Sequence, residues 1–316
     1  MDLLWLLLII PIILILVLKL YVVYSAGVCR STNLMEGKVI IVTGANSGIG
    51  FETAKDLAAR KGCVILACRD VNRGQKAAES IIKATGNKNV VFRQLDLSSL
   101  SSVRKFASEI KKTEDRIDVL IHNAGMTPSP GRHLTEDNLE LQFATNHFGP
   151  FLLTNLLLDL LEKSAPSRII VVSSVTHHWA CLDLNNLNCE KYTRNPYWVY
   201  CSTKLANVLF VRELAKRLQG TGVTVNALHP GGVKTAIARN AQWFIKYLII
   251  PFIYFFLKDS KSGAQTSIYL AVSDEVKDVT GQYFVDCKPA WVSRLARNET
   301  KAKKLWDLSE KFTNIR

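Results

Sequence analysis

Apolar residues in this chain gather into short runs separated by amphipathic stretches, with two longer apolar blocks at residues 3–24 and 243–257. Residues 38–43, Lys-Val-Ile-Ile-Val-Thr, are short, apolar and β-branched, the pattern of a strand buried on both faces of a parallel sheet. A glycine-rich turn follows, then a helical stretch over 51–60 and a second strand-like run over 63–67. Further on, 148–161 has helical character and 168–173 reads as another buried strand. Strands alternating with helices predict a doubly wound, Rossmann-type α/β sandwich, with a mainly parallel sheet of about seven strands and helices on both faces. The 316 residues suit one large domain with appendages. The pattern divides them into an N-terminal membrane anchor at 1–25, a linker at 26–36 and a folded domain at 37–316. Within that domain, 240–258 is expected to be an apolar lid or membrane-interface segment.

The first apolar block has about 22 residues, which at 1.5 Å each span about 33 Å, enough to cross the hydrocarbon core. A cleaved signal peptide fits poorly, because only Met1-Asp2 precedes the block and neither is basic. Asp2 lies before the segment, whereas Lys19, Arg30 and Lys38 lie within or after it, so the positive-inside rule places the body in the cytosol. The second block is interrupted by Lys246 and Pro251 and is too short for a confident second span. Its aromatic content suits a membrane interface or the wall of an apolar pocket.

Charge and cysteine usage narrow the partners. The net charge of +13 is scattered rather than blocked, which favours an anionic lipid surface over nucleic acid. The seven cysteines form no C-x-x-C pair and no zinc-ligand spacing, consistent with a reducing compartment. His177-His178 invites a metal reading, but adjacent histidines on an extended segment point apart and no third ligand is apparent, so no metal is expected.

The turn Thr43-Gly44-Ala45-Asn46-Ser47-Gly48-Ile49-Gly50 joins a strand to a helix, the context that gives a glycine motif its meaning. Gly44 and Gly48 allow a tight turn and close approach of a pyrophosphate to backbone N–H groups. Gly50 allows close helix–strand packing, and the helix N-terminus attracts the anion. The second strand runs into Arg69-Asp70. An arginine there accommodates a 2′-phosphate and argues for NADP(H), whereas an acid accepts from a ribose 2′-hydroxyl; either side chain is placed to face the ribose.

From Gly37 to about Val285 the chain resembles the short-chain dehydrogenase/reductases, through motifs in the family's order. The Thr43–Gly50 turn matches the T-G-x-x-x-G-x-G cofactor turn, in which Asn46, Ser47 and Ile49 fall between the glycines. Asp96-Leu97 resembles the pair that brackets the adenine, Asn123-Ala124-Gly125 the N-A-G segment beside the cofactor, and Pro230-Gly231 the turn near the nicotinamide. Asn146, Ser174 and Tyr200-Cys201-Ser202-Thr203-Lys204 match the catalytic Asn, Ser and Y-x-x-x-K. Tyr200 and Lys204 are four apart and share a helix face. A cation beside a phenol favours phenolate, so Tyr200 is expected to exchange a proton with the substrate oxygen. Strand alternation lets only one of Ser173 and Ser174 face the site. The family pattern selects Ser174, which would also bind the substrate oxygen. The resemblance further implies that Lys204 holds the nicotinamide ribose and that Asn146 supports a proton-relaying water.

A narrower resemblance, to membrane-bound NADP(H)-using retinol dehydrogenases, rests on several blocks. These are Gly27-Val28-Cys29-Arg30, Ala67-Cys68-Arg69-Asp70, Ser173-Ser174-Val175-Thr176-His177-His178, the 204–210 and 213–218 stretches, and the 281–288 tail. It implies interconversion of retinal and retinol, or reduction of related lipid aldehydes, at the endoplasmic reticulum membrane by a single-pass protein. It also allows a homodimer through the helix carrying Tyr200. The rivals are a reductase of other hydrophobic carbonyls, such as steroids or fatty aldehydes, and a membrane protein that binds nucleotide without turnover. One departure from the family is His122, which stands where the first Asn of N-N-A-G is usual.

Overall fold

The computed structural model describes residues 13, 17, 19, 26–128, 131–191, 195–233 and 257–315. The expected anchor and the expected lid lie outside these, apart from Ile13, Val17 and Lys19, which are helical, and residues 257–258. Among the described residues no helix is long and apolar enough to cross a membrane.

The strand expected at 38–43 is β1 (Val39–Thr43), buried at every position and paired in parallel with β2 (Cys63–Cys68) and β4 (Val119–His122). β3 (Val90–Gln94) lies outside β2; β5 (Ser167–Val172), β6 (Val223–His229) and β7 (Tyr283–Val285) continue beyond β4. The sheet order β3-β2-β1-β4-β5-β6-β7-β8 reverses direction at β1/β4, the switch point where such sheets open a ligand crevice. About seven strands were expected; the eighth, β8, is a two-residue antiparallel piece, Lys288–Pro289, too short to leave a periodic signal.

Because side chains alternate along a strand, each central strand feeds two cores. Val39 and Ile41 join one cluster, which packs under α3 (Leu100–Thr113), α4 (Gly149–Lys163), α5 (Pro196–Arg217) and α7 (Glu299–Thr313). Ile40 and Val42 join the other, under α1 (Gly48–Ala59), α2 (Val71–Thr85) and α6 (Ser260–Val272). This three-layer packing leaves the C-terminal strand ends, where Thr43, Ser173 and His229 sit, as the place for chemistry.

Residues 26–36, expected as a linker, lie along the body. Gly27 N–H donates to Asp286 Oδ1 (3.2 Å), Cys29 N–H to Gln265 Oε1 (3.0 Å), and Arg60 Nη1 to the carbonyls of Ser31 and Asn33 (2.8 and 2.9 Å). Met35 is buried in the second core.

Candidate active site

At the end of β1 the glycine turn is braced from β4. Thr43 Oγ1 accepts from the N–H groups of Asn123 and Ala124, both at 3.0 Å, and Asn123 Nδ2 donates to Thr43 O and Gly44 O. A Cβ on Gly50 would come within 2.3 Å of Asn123 Nδ2 and 2.6 Å of Gly44 O, so this glycine lets the helix seat on the turn. Gly48 has φ +61°, and a Cβ there would meet nothing nearer than Ser260 Oγ at 4.0 Å. The space in front of it is open. Ser47 caps α1 without a side-chain hydrogen bond, and the first turn carries no acid, so its N–H groups are available to an anion. Cys68 Sγ faces the backbone N–H groups of Ala45 and Asn46, and burial pushes its thiol up to about 11. Ile49 packs partly buried against the second core. The turn therefore fits a dinucleotide pyrophosphate by shape and by polarity.

At the adenosine end, Asp70 is committed elsewhere. It caps α2, its Oδ1 accepting from Arg73 N–H at 2.9 Å. Arg69 is 75% exposed and its Nε lies 4.0 Å from Asp96 Oδ2, a loose pair that leaves the guanidinium usable. Asp96 Oδ1 accepts from Ser98 N–H and Oγ–H (2.9 and 2.6 Å), and Leu97 is buried with its carbonyl under Gly149.

Ser174, Tyr200, Lys204 and Asn146 come together at the opposite end. Ser173 and Ser174 separate as alternation requires. Ser173 Oγ donates to Lys204 O at 2.7 Å and is occupied in holding α5. Ser174 caps the 3-10 turn Val175–Trp179, accepts from Thr176 N–H at 3.2 Å, and hydrogen-bonds the Tyr200 phenol. Lys204 is buried; its Nζ donates to Val172 O at 3.2 Å and lies 5.5 Å from the centroid of the Tyr200 ring. Asn146 sits in a π turn, Ala144–Phe148, of the kind often found at functional sites. Its Oδ1 accepts from Met126 N–H (2.8 Å), and its Nδ2 donates to Thr203 Oγ1 (3.1 Å). Gly125 faces both groups: a Cβ there would stand 3.4 Å from Asn146 Oδ1 and 3.4 Å from Lys204 Nζ.

The electrostatics differ from the sequence expectation in one respect. Burial pushes the Tyr200 phenol up to about 12, against the opposing hydrogen bond from Ser174, and pushes the Lys204 ammonium down to about 8. The lysine lies over the phenol ring with its hydrogen bond directed to Val172 O, so desolvation outweighs its attraction for a phenolate. In the protein alone, Tyr200 is a protonated acid.

Three further features complete the surroundings of the site. His177 and His178 lie in the 3-10 turn rather than on an extended segment, and their rings are 4.0 Å apart instead of diverging. The buried His177 Nδ1–H donates to Ser174 O at 2.7 Å, and Nε2 accepts from Ser293 N–H at 3.4 Å, which fixes its tautomer. Burial holds its ring at about 4, hence neutral. Among the described residues no group of three or more His, Cys, Asp or Glu side chains could hold a metal. Second, Lys258, only 10% exposed, pairs with Asp286 and packs on the Pro230-Gly231 turn, where a Cβ on Gly231 would stand 3.1 Å from its Nζ. Third, His122 is buried and bonds Thr154 Oγ1 through Nε2 at 2.7 Å; burial pushes it down to about 3. That bond fastens β4 to α4 where an asparagine is usual.

Known proteins resemble this chain over most of its length. A family model described as short chain dehydrogenase matches residues 38–244. Retinol dehydrogenase 11 of Homo sapiens is 48% identical over 285 residues, covering 90% of this chain and 88% of that protein. Retinol dehydrogenase 13 of Homo sapiens is 46% identical, covering 94% and 90%. Among solved structures, an uncharacterized protein from Mycobacterium Paratuberculosis is 34% identical with a TM-score of 0.75, covering 91% of this chain and 98% of its own. A short chain dehydrogenase from Shigella flexneri complexed with NADP is 25% identical with a TM-score of 0.61, covering 82% and 100%. With a nucleotide turn braced by Asn123 and a buried Ser174–Tyr200–Lys204 set, matched over most of its length by these relatives, the chain belongs to the short-chain dehydrogenase family as a retinol-dehydrogenase-like oxidoreductase.

Proposed function

We propose that the protein is an NADP(H)-dependent oxidoreductase that interconverts retinal and retinol, working mainly as a reductase of retinal and related lipid aldehydes. The observation that carries this reading is the convergence of Ser174, Tyr200 and buried Lys204, whose Nζ lies 5.5 Å from the Tyr200 ring, in a chain so similar to proteins named retinol dehydrogenases. The choice of NADP(H) rests on Arg69, which is exposed at the end of β2 while Asp70 is spent on the α2 cap. A 2′-phosphate at that place would gain a charge-assisted contact.

The α1 N-terminus, Gly44, Gly48 and Gly50 would hold the pyrophosphate, Asp96 and Leu97 the adenine, and Lys204 with the Pro230-Gly231 turn the nicotinamide half. When bound, the nicotinamide supplies or accepts the hydride at the substrate carbon. In reduction, Ser174 Oγ–H and Tyr200 O–H hydrogen-bond the carbonyl oxygen, and charge that develops there draws the phenolic proton across. Tyr200 is at about 12, so it remains protonated at neutral pH and is loaded for donation. Lys204, at about 8, holds its proton weakly enough to return one to the phenol. Asn146, placed by the π turn on the Gly125 side of Lys204, would support a water that links Lys204 to solvent.

The apolar block at 3–24 anchors the protein as a single span in the endoplasmic reticulum membrane with the catalytic domain in the cytosol, and the block at 243–257 lines the route of an apolar substrate. The test is NADPH oxidation by the full chain in detergent with all-trans-retinal, a fatty aldehyde and a steroid ketone, and with NADH as the alternative donor. Turnover of retinal with a strong preference for NADPH is expected. Turnover of only another carbonyl would remove the retinoid assignment, and equal use of NADH would remove the role given to Arg69.

A further inference from the structure

Large aromatic side chains stand exposed on the elements that carry Ser174 and Tyr200 and on the segment that follows β8. Trp179, Trp198 and Trp291 are 55%, 45% and 66% exposed, and Tyr197 and Leu295 are 42% and 36% exposed. They fall into two groups. Trp291 stacks on His178 at 4.7 Å, and His178 shares its 3-10 turn with Trp179. The Tyr197 and Trp198 rings are 5.7 Å apart at the start of α5, which packs against that turn. The turn is capped by Ser174, and Trp198 lies on the helix that carries Tyr200, so the elements that bear these rings also bear the catalytic pair. Stable monomers seldom leave so many large rings in water without a purpose. The neighbouring stretch from Lys288 to Arg297 holds three cations, Lys288, Arg294 and Arg297, all exposed, and no carboxylate. The Arg297 guanidinium lies 5.9 Å from the Trp291 ring.

We infer that this face is a docking surface for an anionic lipid bilayer, seated in the interface so that the substrate mouth opens into lipid. The inference rests on the membrane anchor proposed above, which also gives it geometry. The apolar block ends at Tyr24, and Gly27 is already bonded to Asp286, five residues before Trp291. Three residues reach at most about 11 Å, so the Asp286 end of the body is held at the membrane surface by its own tether. Indole rings prefer the headgroup level, and nearby lysine and arginine gain from anionic lipid there. Short tether, aromatic rim and one-signed charge all select the same face.

The full chain, reconstituted in phosphatidylcholine/phosphatidylserine vesicles, tests this by tryptophan quenching with lipids brominated near the headgroup. Of the six tryptophans, Trp5 and Trp243 lie in the apolar blocks and Trp306 is buried. The variant Trp179→Ser/Trp198→Ser/Trp291→Ser is expected to lose roughly half or more of the quenchable emission. Unchanged quenchable emission in the variant would overturn the proposal, as would a variant that alters only the oligomeric mass, which would assign the rings to a second copy of the chain. Should the triple variant fold poorly, Lys288→Gln/Arg294→Gln/Arg297→Gln provides the second reading. It should reduce quenching in vesicles containing phosphatidylserine and leave it unchanged in pure phosphatidylcholine; equal quenching in both, relative to wild type, would contradict the role of charge. Neither measurement uses substrate or cofactor, so failure here leaves the oxidoreductase reading standing.

Discussion

Lys204→Met should make the protein more stable while destroying its activity. Lys204 is 4% exposed, and burial moves its ammonium from 10.5 to about 8. Holding such a charged group at neutral pH costs about 3 kcal/mol at 1.36 kcal/mol per pK unit. Methionine has a similar length and no charge, but it leaves Val172 O without the donor it has at 3.2 Å, a loss of about 1 kcal/mol. The net gain is about 2 kcal/mol, which for a domain of this size raises the melting temperature by about 3–4 °C. The sign of the pH dependence is fixed. Between about 8 and 10.5 the unfolded chain holds more protons at this site than the folded one, so wild-type stability rises with pH across that window. The advantage of Lys204→Met is therefore full below about pH 8 and disappears above about pH 10.5. Thermal unfolding of both proteins without cofactor, in the same detergent at pH 7 and pH 10.5, measures it. A variant no more stable than wild type at pH 7, or an advantage of equal size at both pH values, would refute the reasoning.

Other substitutions separate neighbours that look alike in sequence. Ser173→Ala should cost about 1 kcal/mol of stability through its lost bond to Lys204 O while retaining turnover, whereas Ser174→Ala should cost a similar amount through its lost cap on Thr176 N–H and also lose about 100-fold or more in kcat; parallel melting and rate measurements decide. Arg69→Ala should raise KM for NADPH by about 10–100-fold with little change for NADH, while Asp70→Ala should cost about 1 kcal/mol as a lost helix cap and leave the preference alone. Gly50→Ala forces a methyl against Asn123 Nδ2 and Gly44 O and should cost about 3 kcal/mol together with nucleotide binding, read by unfolding and by NADPH titration.

What could be read from the sequence was mostly what is local. A buried β-branched run, a glycine turn and a helix signal one another within about 20 residues, and β1, its turn and α1 form where expected. Alternation admitted only one of Ser173 and Ser174 and the family resemblance selected Ser174, while the four-residue spacing put Tyr200 and Lys204 on one helix face. Partners distant in the chain were not. The segment 26–36 looks like a linker since the groups that bind Gly27 and Cys29 are more than 200 residues away. The direction of the Tyr200 shift depends on how completely the phenol and Lys204 are buried, a quantity no spacing encodes. Asp70 was ambiguous because a helix cap and a ribose ligand call for the same residue type, and only the start of α2 at Val71 distinguishes them. The histidine pair was misjudged because the turn after β5 is 3-10 rather than extended.

The most direct test of the central claim is transfer of label from NADPH deuterated at C4 of the nicotinamide to all-trans-retinal, using the purified full chain and its Tyr200→Phe variant. Retinol carrying one deuterium from the wild-type protein, with none from the variant although it still binds NADPH, is the result the account predicts. Tight NADPH binding with no labelled retinol from the wild type, or equal labelling by the variant, would contradict it.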